Sequence, residues 1–281
     1  MLNDLEYSNE REKTLSILLD SSLITGVRFV AYNYKIVRCN EYLQVYYYHN
    51  KKIKDNIKNL DIDSLHVSSS YSSSNEKNDI LHRNAIRAKL NCQRLAKSNA
   101  SEWKSFITLT YKENMTDISI AKRDLNFFIK NIRKKKEDFK YIAIPEFQKR
   151  GAIHFHLLTN LSTQDNYIIT KQENNNKYYN VKYWNKGFTS FELLNGDIKK
   201  IVGYISKYMT KECDNRLFGY KKYSYSFNLV KPVSEYLDTS NSSHIDYFRR
   251  IIKDKECIYK TNYFDNCGNE VKFFEFQVKK N

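Results

Sequence analysis

The chain has 281 residues, enough to bury at least one sizeable hydrophobic core. Its 47 Lys and Arg residues against 32 Asp and Glu residues give a formal net charge of +15, which favours a polyanionic partner. The sequence has no apolar run of transmembrane length, no signal-peptide pattern and no Gly-x-x-x-x-Gly-Lys-Ser/Thr stretch. We therefore expect no membrane partner, and a P-loop helicase is excluded. Five scattered cysteines without a Cys-x-x-Cys pair indicate free thiols in a reducing cytoplasm.

Residues 1–78 are predicted to form an N-terminal extension with a small β element. A helix is predicted from Glu6 to Leu19, followed by strands at 26–37 and 42–48. The extension ends in a Ser-rich segment, 68–78, whose polar composition is typical of a linker or mobile loop.

A basic helix is predicted from Asp79 to about Ser98. Its apolar positions recur at helical spacing, and they are Ala85, Ala88, Cys92, Leu95 and Ala96. The cations that lie mostly off this stripe, and that are candidates for contact with a DNA backbone, are Arg83, Arg87, Arg94 and Lys97. A solvated helix face is an equally good interpretation of these four residues.

A strand is predicted at Ser105–Tyr111, and a second amphipathic helix follows it. The helix has an apolar stripe that consists of Ala121, Leu125, Phe128, Ile129 and Ile132. The run Arg133–Lys136 comes at its C-terminal end, where cations complement the helix dipole. Dipole complementarity and DNA contact explain this run equally well.

A β-hairpin is predicted at 141–158. Successive side chains of a strand point to opposite faces, so His154 and His156 share one face, and Phe155 lies on the other. A three-residue loop closed by Gly151 would place Glu146 directly across from His154. Two imidazoles and a carboxylate on one face suit a divalent ion that also touches a phosphate oxygen. An ordinary half-buried histidine pair is the alternative.

A loop is predicted at Gln172–Lys177, a strand near Lys186–Leu194 and a helix from about Ile198. One face of that helix presents two phenols and two ammonium groups, and they are Tyr204, Lys207, Tyr208 and Lys211. Nearby cations favour the anionic form of a phenol, which is the nucleophilic form, and the lysines are also candidates to hold a phosphate. The alternative is boundary packing of tyrosines on an amphipathic helix.

Residues 233–281 are predicted to form a C-terminal extension without evident chemistry. A helix is predicted at Ile245–Lys253, with strands near Cys257–Lys260 and Val271–Val278. The alternation of strands and helices from Ser105 to the helix at Ile198, with the hairpin between them, predicts an α+β fold, with helices packed on one face of a single antiparallel sheet and a small β extension before it.

Three motifs resemble those of the HUH endonucleases, in which a His-apolar-His strand carries a metal and a tyrosine helix attacks DNA. They are Phe106–Tyr111, Glu146–Leu158 and Gly203–Lys211, and they occur in the family's order. The resemblance covers about 79–232 and is closest to rolling-circle replication initiators of small single-stranded-DNA phages and related plasmids. It implies a ferredoxin-like or RRM-like nuclease domain over 79–232.

By this resemblance, the metal ligands for Mg²⁺ or Mn²⁺ are Glu146, His154 and His156. The catalytic residues are Tyr204 and Tyr208, with Lys207 and Lys211 in support. Lys149 and Arg150 join the basic helix as candidate DNA contacts. The implied activity is nicking and rejoining of single-stranded origin DNA through a 5′-phosphotyrosine, in the cytoplasm of the host cell and with a host polymerase and helicase as partners.

Two other functions remain open at this stage. A transposase or a conjugative relaxase would use the same metal and tyrosine chemistry on different DNA ends. A noncatalytic nucleic-acid-binding protein would use the same basic sheet, and it would form no covalent adduct with DNA.

Overall fold

The computed structural model describes residues 29–55, 74–165, 168–173, 176–194, 198–209, 216, 220–265 and 268–279. The chain forms a terminal unit, Met1–Tyr71 with Val233–Asn281, and a central unit, Ser72–Pro232. The helix predicted at Glu6–Leu19 and the residue Lys211 lie outside the described residues. Within the described parts, no helix is long and apolar enough to cross a membrane.

The predicted α+β fold is confirmed, with two antiparallel sheets and four helices in the described residues. In chain order the elements are β1 (Phe29–Cys39), β2 (Tyr42–Asp55), α1 (Ser74–Ser98), β3 (Ser105–Tyr111), α2 (Ile118–Arg133), β4 (Tyr141–Phe147), β5 (Ile153–Thr159), β6 (Ile168–Glu173), β7 (Asn176–Val181), β8 (Gly187–Leu193), α3 (Ile198–Met209), β9 (Ser224–Tyr225), β10 (Val233–Leu237), α4 (Ser242–Ile252), β11 (Lys255–Phe264) and β12 (Glu270–Val278).

The terminal unit joins both ends of the chain in one sheet of order β10-β1-β2-β12-β11. Its core contains Ile36, Leu43 and Val45, against which Phe248 and Ile251 of α4 pack. The sequence pattern instead divides this unit into two separate extensions, because pairing between strands so distant along the chain leaves no local signal.

The central unit has a sheet of order β6-β7-β8-β3-β5-β4-β9 with helices on both faces. On one face α2 packs Leu125 and Phe128 in a cluster with Phe155 of β5. On the other face α1 and α3 contribute Leu95 and Ile205 to a second cluster. The prediction of helices on one face only is therefore wrong. Strands β4 and β5 are buried on both sides, which fits their nearly continuous apolar sequences.

The loop predicted at Gln172–Lys177 is also wrong, because most of it belongs to the hairpin β6–β7. Residues 174–175 lie outside the described part of the chain. Tyr179 pairs with Phe191 of β8, and Ile168 and Tyr179 pack against the core of the central unit. These contacts outweigh the low strand propensity of the Asn-rich sequence.

The hairpin β4–β5 closes as the sequence predicts. Gly151 has φ +92°, a conformation that glycine adopts without steric cost, and its N–H donates to the Gln148 carbonyl at 2.8 Å. The N–H of Gln148 donates to the Ala152 carbonyl, also at 2.8 Å. Arg150 fixes the turn to its neighbour β3 by donating to the Tyr111 carbonyl at 2.9 Å. This geometry sets the register of the two strands that carry the candidate ligands.

Candidate active site

A row of four side chains crosses the sheet at the end of the β4–β5 hairpin. Phe188 of β8 pairs with Thr110 of β3, Thr110 pairs with His154 of β5, and His154 pairs with Glu146 of β4. Directly paired residues point to the same face of a sheet. The predicted register of Glu146 and His154 is thereby confirmed, and Phe155 lies on the opposite face as predicted.

The next row contains Thr108 and His156. The Nε2 atom of His156 lies 2.6 Å from Oε2 of Glu146, and Nδ1 lies 3.2 Å from the Thr108 hydroxyl. The imidazole is thus held from both sides, by the Glu146 carboxylate at Nε2 and by the Thr108 hydroxyl at Nδ1. Glu146, His154 and His156 are each at most 9% exposed, so the polar triad is largely withdrawn from bulk solvent.

The three polar side chains have the donor chemistry of a divalent-ion site, although among the described residues no three His, Cys, Asp or Glu side chains form a metal cluster. Two ligands at right angles, each about 2.1 Å from one ion, lie about 3 Å apart. The 2.6 Å contact between His156 and Glu146 is close to that separation. The ring centroids of His154 and His156 are 6.2 Å apart, so His154 has to turn toward the other two. The donor set has the chemistry for a divalent ion, and the side chains would have to rearrange to bind one.

The tyrosine helix α3 lies over this face of the sheet. It is anchored by Ile201 and Ile205, which are both buried in the second cluster. The ring of Tyr208 stacks on His156 with 3.6 Å between ring centroids and 18° between planes. Lys207 Nζ lies 5.3 Å from the centroid of the Tyr208 ring. The helix therefore brings one phenol into direct contact with a candidate metal ligand.

Tyr204 has different surroundings from Tyr208. Its ring stacks on Phe106 at 4.4 Å, and its hydroxyl donates to Glu192 Oε2 at 2.5 Å. Burial and the Glu192 carboxylate raise the pKa of Tyr204 to about 12. The expectation that cations favour the phenolate is therefore wrong for Tyr204, because its nearest charged partner is an anion.

The predicted DNA contacts divide into exposed and buried positions. Arg83, Arg87 and Lys149 are exposed, whereas Lys97 is only 8% exposed. Arg94 is half-buried, and Arg150 is exposed but bound at the hairpin turn. Of the predicted DNA contacts, Arg83 and Arg87 in the middle of α1 and Lys149 at the hairpin tip are therefore accessible to a polyanion.

Three residues of this face were not predicted from the sequence as site residues, and they are Thr108, Phe188 and Glu192. The last two belong to β8, whose residues 188, 190 and 192 alternate onto the histidine side. The alternation of side chains along the predicted strand already indicated that residues 188, 190 and 192 share one face. The position of β8 beside β3 was the missing information, since strand order is not local.

Two comparisons with known proteins match part of the chain. A family model described as replication-associated protein matches residues 104–213, which include both histidines and both tyrosines. This segment of the central unit is similar to replication-associated proteins. The chain is also 29% identical over 132 residues to the phasyl DNA replicon protein arp of Escherichia coli. That match covers 41% of this chain and 46% of the relative, so the chain spans about half of that protein's length. No solved structure matches the chain.

Proposed function

We propose that the chain is a replication initiator that nicks single-stranded origin DNA through a tyrosine and later rejoins it. One observation carries the proposal. The ring of Tyr208 stacks on His156, whose Nε2 contacts Glu146 across the hairpin, so a nucleophile and polar side chains suited to a metal lie in one site. The similarity of residues 104–213 to replication-associated proteins gives the chemistry its biological setting.

The proposed reaction is the transfer of a phosphodiester from DNA to a phenol. The Tyr208 oxygen forms a bond to the scissile phosphorus, the bond from phosphorus to the 3′ oxygen breaks, and the phenolic proton is lost as the 3′ oxygen gains one. The products are a 5′-phosphotyrosine and a free 3′-hydroxyl. Because one phosphodiester replaces another, rejoining needs no ATP.

Glu146, His154 and His156 are the residues that would hold Mg²⁺ or Mn²⁺. When bound, such an ion supplies positive charge to the phosphate oxygens at the point of attack. Thr108 fixes the His156 ring from its other nitrogen, in the manner of outer partners that orient metal-binding histidines. Burial of the triad strengthens the electrostatic interactions between the site and a phosphate.

The two tyrosines are assigned unequal roles. Tyr208 makes the first cut in this scheme, because it contacts His156 directly. Tyr204 is held by Glu192, and its raised pKa makes it the weaker nucleophile until DNA displaces that hydrogen bond. Its place one helical turn away suits a second attack on the regenerated junction after a round of synthesis.

Host proteins complete the scheme. The sequence lacks a P-loop, so separation of the parental strands is assigned to a host helicase. The free 3′-hydroxyl left by the nick is a primer for a host polymerase. Both partners are proposed from the chemistry of the products and from the missing ATP-binding motif.

The test is incubation of the full chain with single-stranded DNA from its own replicon and Mn²⁺, followed by denaturing electrophoresis. We expect a protein band shifted by covalent DNA, reduced in Tyr208→Phe and missing in the Tyr204→Phe/Tyr208→Phe double variant. Binding of the oligonucleotide without any adduct, in Mn²⁺ or Mg²⁺, would instead support a noncatalytic binding protein.

A further inference from the structure

Strand β8 exposes a large aromatic side chain on the same face of the sheet as the histidines. Phe188 is 67% exposed, although it lies in a strand of the central sheet. Ser190 and Glu192, its neighbours on that face, are also exposed. Strands β3 and β5 are covered by α1 and α3, and β8 therefore forms an open strip beside the tyrosine helix.

The backbone around Phe188 is closely fixed. An added Cβ at Gly187 would stand 2.3 Å from the Thr110 carbonyl oxygen and 2.4 Å from the Lys112 nitrogen, so only glycine permits this approach of β8 to β3. Trp184 donates its indole N–H to the same carbonyl at 3.0 Å. The backbone that carries the exposed ring is already fixed, so it loses little further conformational freedom when the ring binds a ligand.

We propose that Phe188 is a stacking platform for an unpaired DNA base close to the scissile phosphate. The inference rests on the proposed nicking function, because that function supplies the single-stranded ligand. Phe188 stands in one row with Thr110 and His154, two strand spacings from the histidine, or about 10 Å. With about 3.4 Å per stacked nucleotide, the base is one to three nucleotides from the phosphate.

The chemistry of the strip favours a nucleic-acid strand as its occupant. Every base has a π face, so a single exposed phenylalanine binds single strands without sequence readout. Lys112, which is exposed, follows the end of β3, and its N–H donates to the Lys186 carbonyl at 2.9 Å just before β8 begins. The Lys186 ammonium instead lies 3.7 Å from Asp124 of α2, on the other face. Lys112 is therefore the cation at this end of the row, and it suits a phosphate next to a base stacked on Phe188.

Binding is tested with a fluorescein-labelled single-stranded oligonucleotide from the chain's own replicon and the full chain. Phe188→Ala should weaken binding about 5- to 100-fold, and Phe188→Trp should restore it. Phe127→Ala is the matched control, since Phe127 is 66% exposed on helix α2, on the other face of the sheet. Equal affinities of the Phe188→Ala and Phe127→Ala variants would overturn the proposal.

The position of the base is tested with 2-aminopurine, a base analogue whose fluorescence falls on stacking, placed at successive nucleotides. Quenching one to three nucleotides from the cleavage point in the wild type, lost in Phe188→Ala and regained in Phe188→Trp, is expected. Quenching unchanged in Phe188→Ala would overturn the platform, while adduct formation by the same variant would leave the nicking function standing. A chain that forms no adduct but quenches through Phe188 would overturn the nicking function alone.

Discussion

The two units of the chain balance their charges differently. The central unit contains 30 Lys and Arg residues against 15 Asp and Glu, whereas the terminal unit contains 17 of each. The whole net charge of +15 thus belongs to the unit that carries the histidines, the tyrosines and the family match at 104–213. Electrostatic attraction of a polyanion is therefore expected to be concentrated in the central unit.

Three cations of the terminal unit form ion pairs within that unit. Arg38 bonds to Glu235, Lys51 to Asp238 and Lys52 to Asp265, and each pair joins segments distant in the sequence. Burial would raise the pKa of Glu235, but hydrogen bonds from Arg38 and Tyr247 outweigh burial and lower it. A carboxyl group of lowered pKa adds stability above its unfolded pKa, and that stability is lost as the pH falls toward its folded pKa.

The largest effect is expected from the histidines of the central unit. His154→Ala and His156→Ala should each reduce nicking at least 100-fold, because each removes an imidazole from the polar triad, and EDTA should have the same effect. Phe155→Leu is the matched control on the other face, and it should keep nicking and lose at most about 1.5 kcal/mol of unfolding free energy. Nicking that survives both His→Ala substitutions would rule out the triad.

Salt should weaken DNA binding by at least about 100-fold between roughly 50 and 200 mM, because six or more phosphate contacts release counterions. Replacing Arg83, Arg87 and Lys149 together by Gln should reduce the slope of log K against log salt by about 2. Lys97→Gln should leave the slope unchanged, since Lys97 is buried. A slope unaffected by the triple substitution would place the phosphate contacts elsewhere.

A several-fold effect on adduct formation is expected from Glu192, whose carboxylate accepts a hydrogen bond from Tyr204. In a Tyr208→Phe background, Glu192→Gln should increase the adduct formed through Tyr204, because loss of the carboxylate lowers the pKa of Tyr204. The remaining burial limits the gain. The rate of adduct formation should rise from about pH 7 to about pH 9 in both proteins, and it should be higher throughout in the Gln variant. A lower rate in that variant would make Glu192 a catalytic partner of Tyr204.

The smallest effect on chemistry is expected from removal of the whole terminal unit. A chain of residues 72–232 should nick within about threefold of the full chain, because it retains every proposed ligand and nucleophile. Deletion of 1–77 alone is a poorer test, since it removes β1 and β2, leaves β10 without its partner and exposes one edge of β12. A folded 72–232 fragment without activity would show that the terminal unit belongs to the active site.

Local patterns in the sequence predicted much of the site. Glu146 meets His154 because a three-residue turn closed by Gly151 sets the register of the two strands, and all of that lies within a few residues. Helical spacing likewise placed Tyr204 and Tyr208 on one face of α3. Short-range periodicity is sufficient for such relations.

Relations between distant segments were not predictable from the sequence alone. The contact between Tyr204 and Glu192 depends on the placement of α3 beside β8. The terminal sheet depends on the pairing of β2 with β12, which are far apart in the sequence. The sequence also placed the helices on one face, although the apolar runs of β4 and β5 fit coverage of both faces. Strand order and helix placement arise from tertiary packing, for which one sequence holds no direct signal.

The central claim is tested most directly by mapping the amino acid that carries the DNA. After nicking in Mn²⁺, the adduct is treated with nuclease and trypsin, which cleaves after Lys200, Lys207 and Lys211 and so separates Tyr204 from Tyr208. We predict that mass spectrometry finds the nucleotide on the peptide with Tyr208 after a single cut, and on that with Tyr204 in the Tyr208→Phe variant. A nucleotide on any other residue, or none on either peptide, would contradict the tyrosine mechanism.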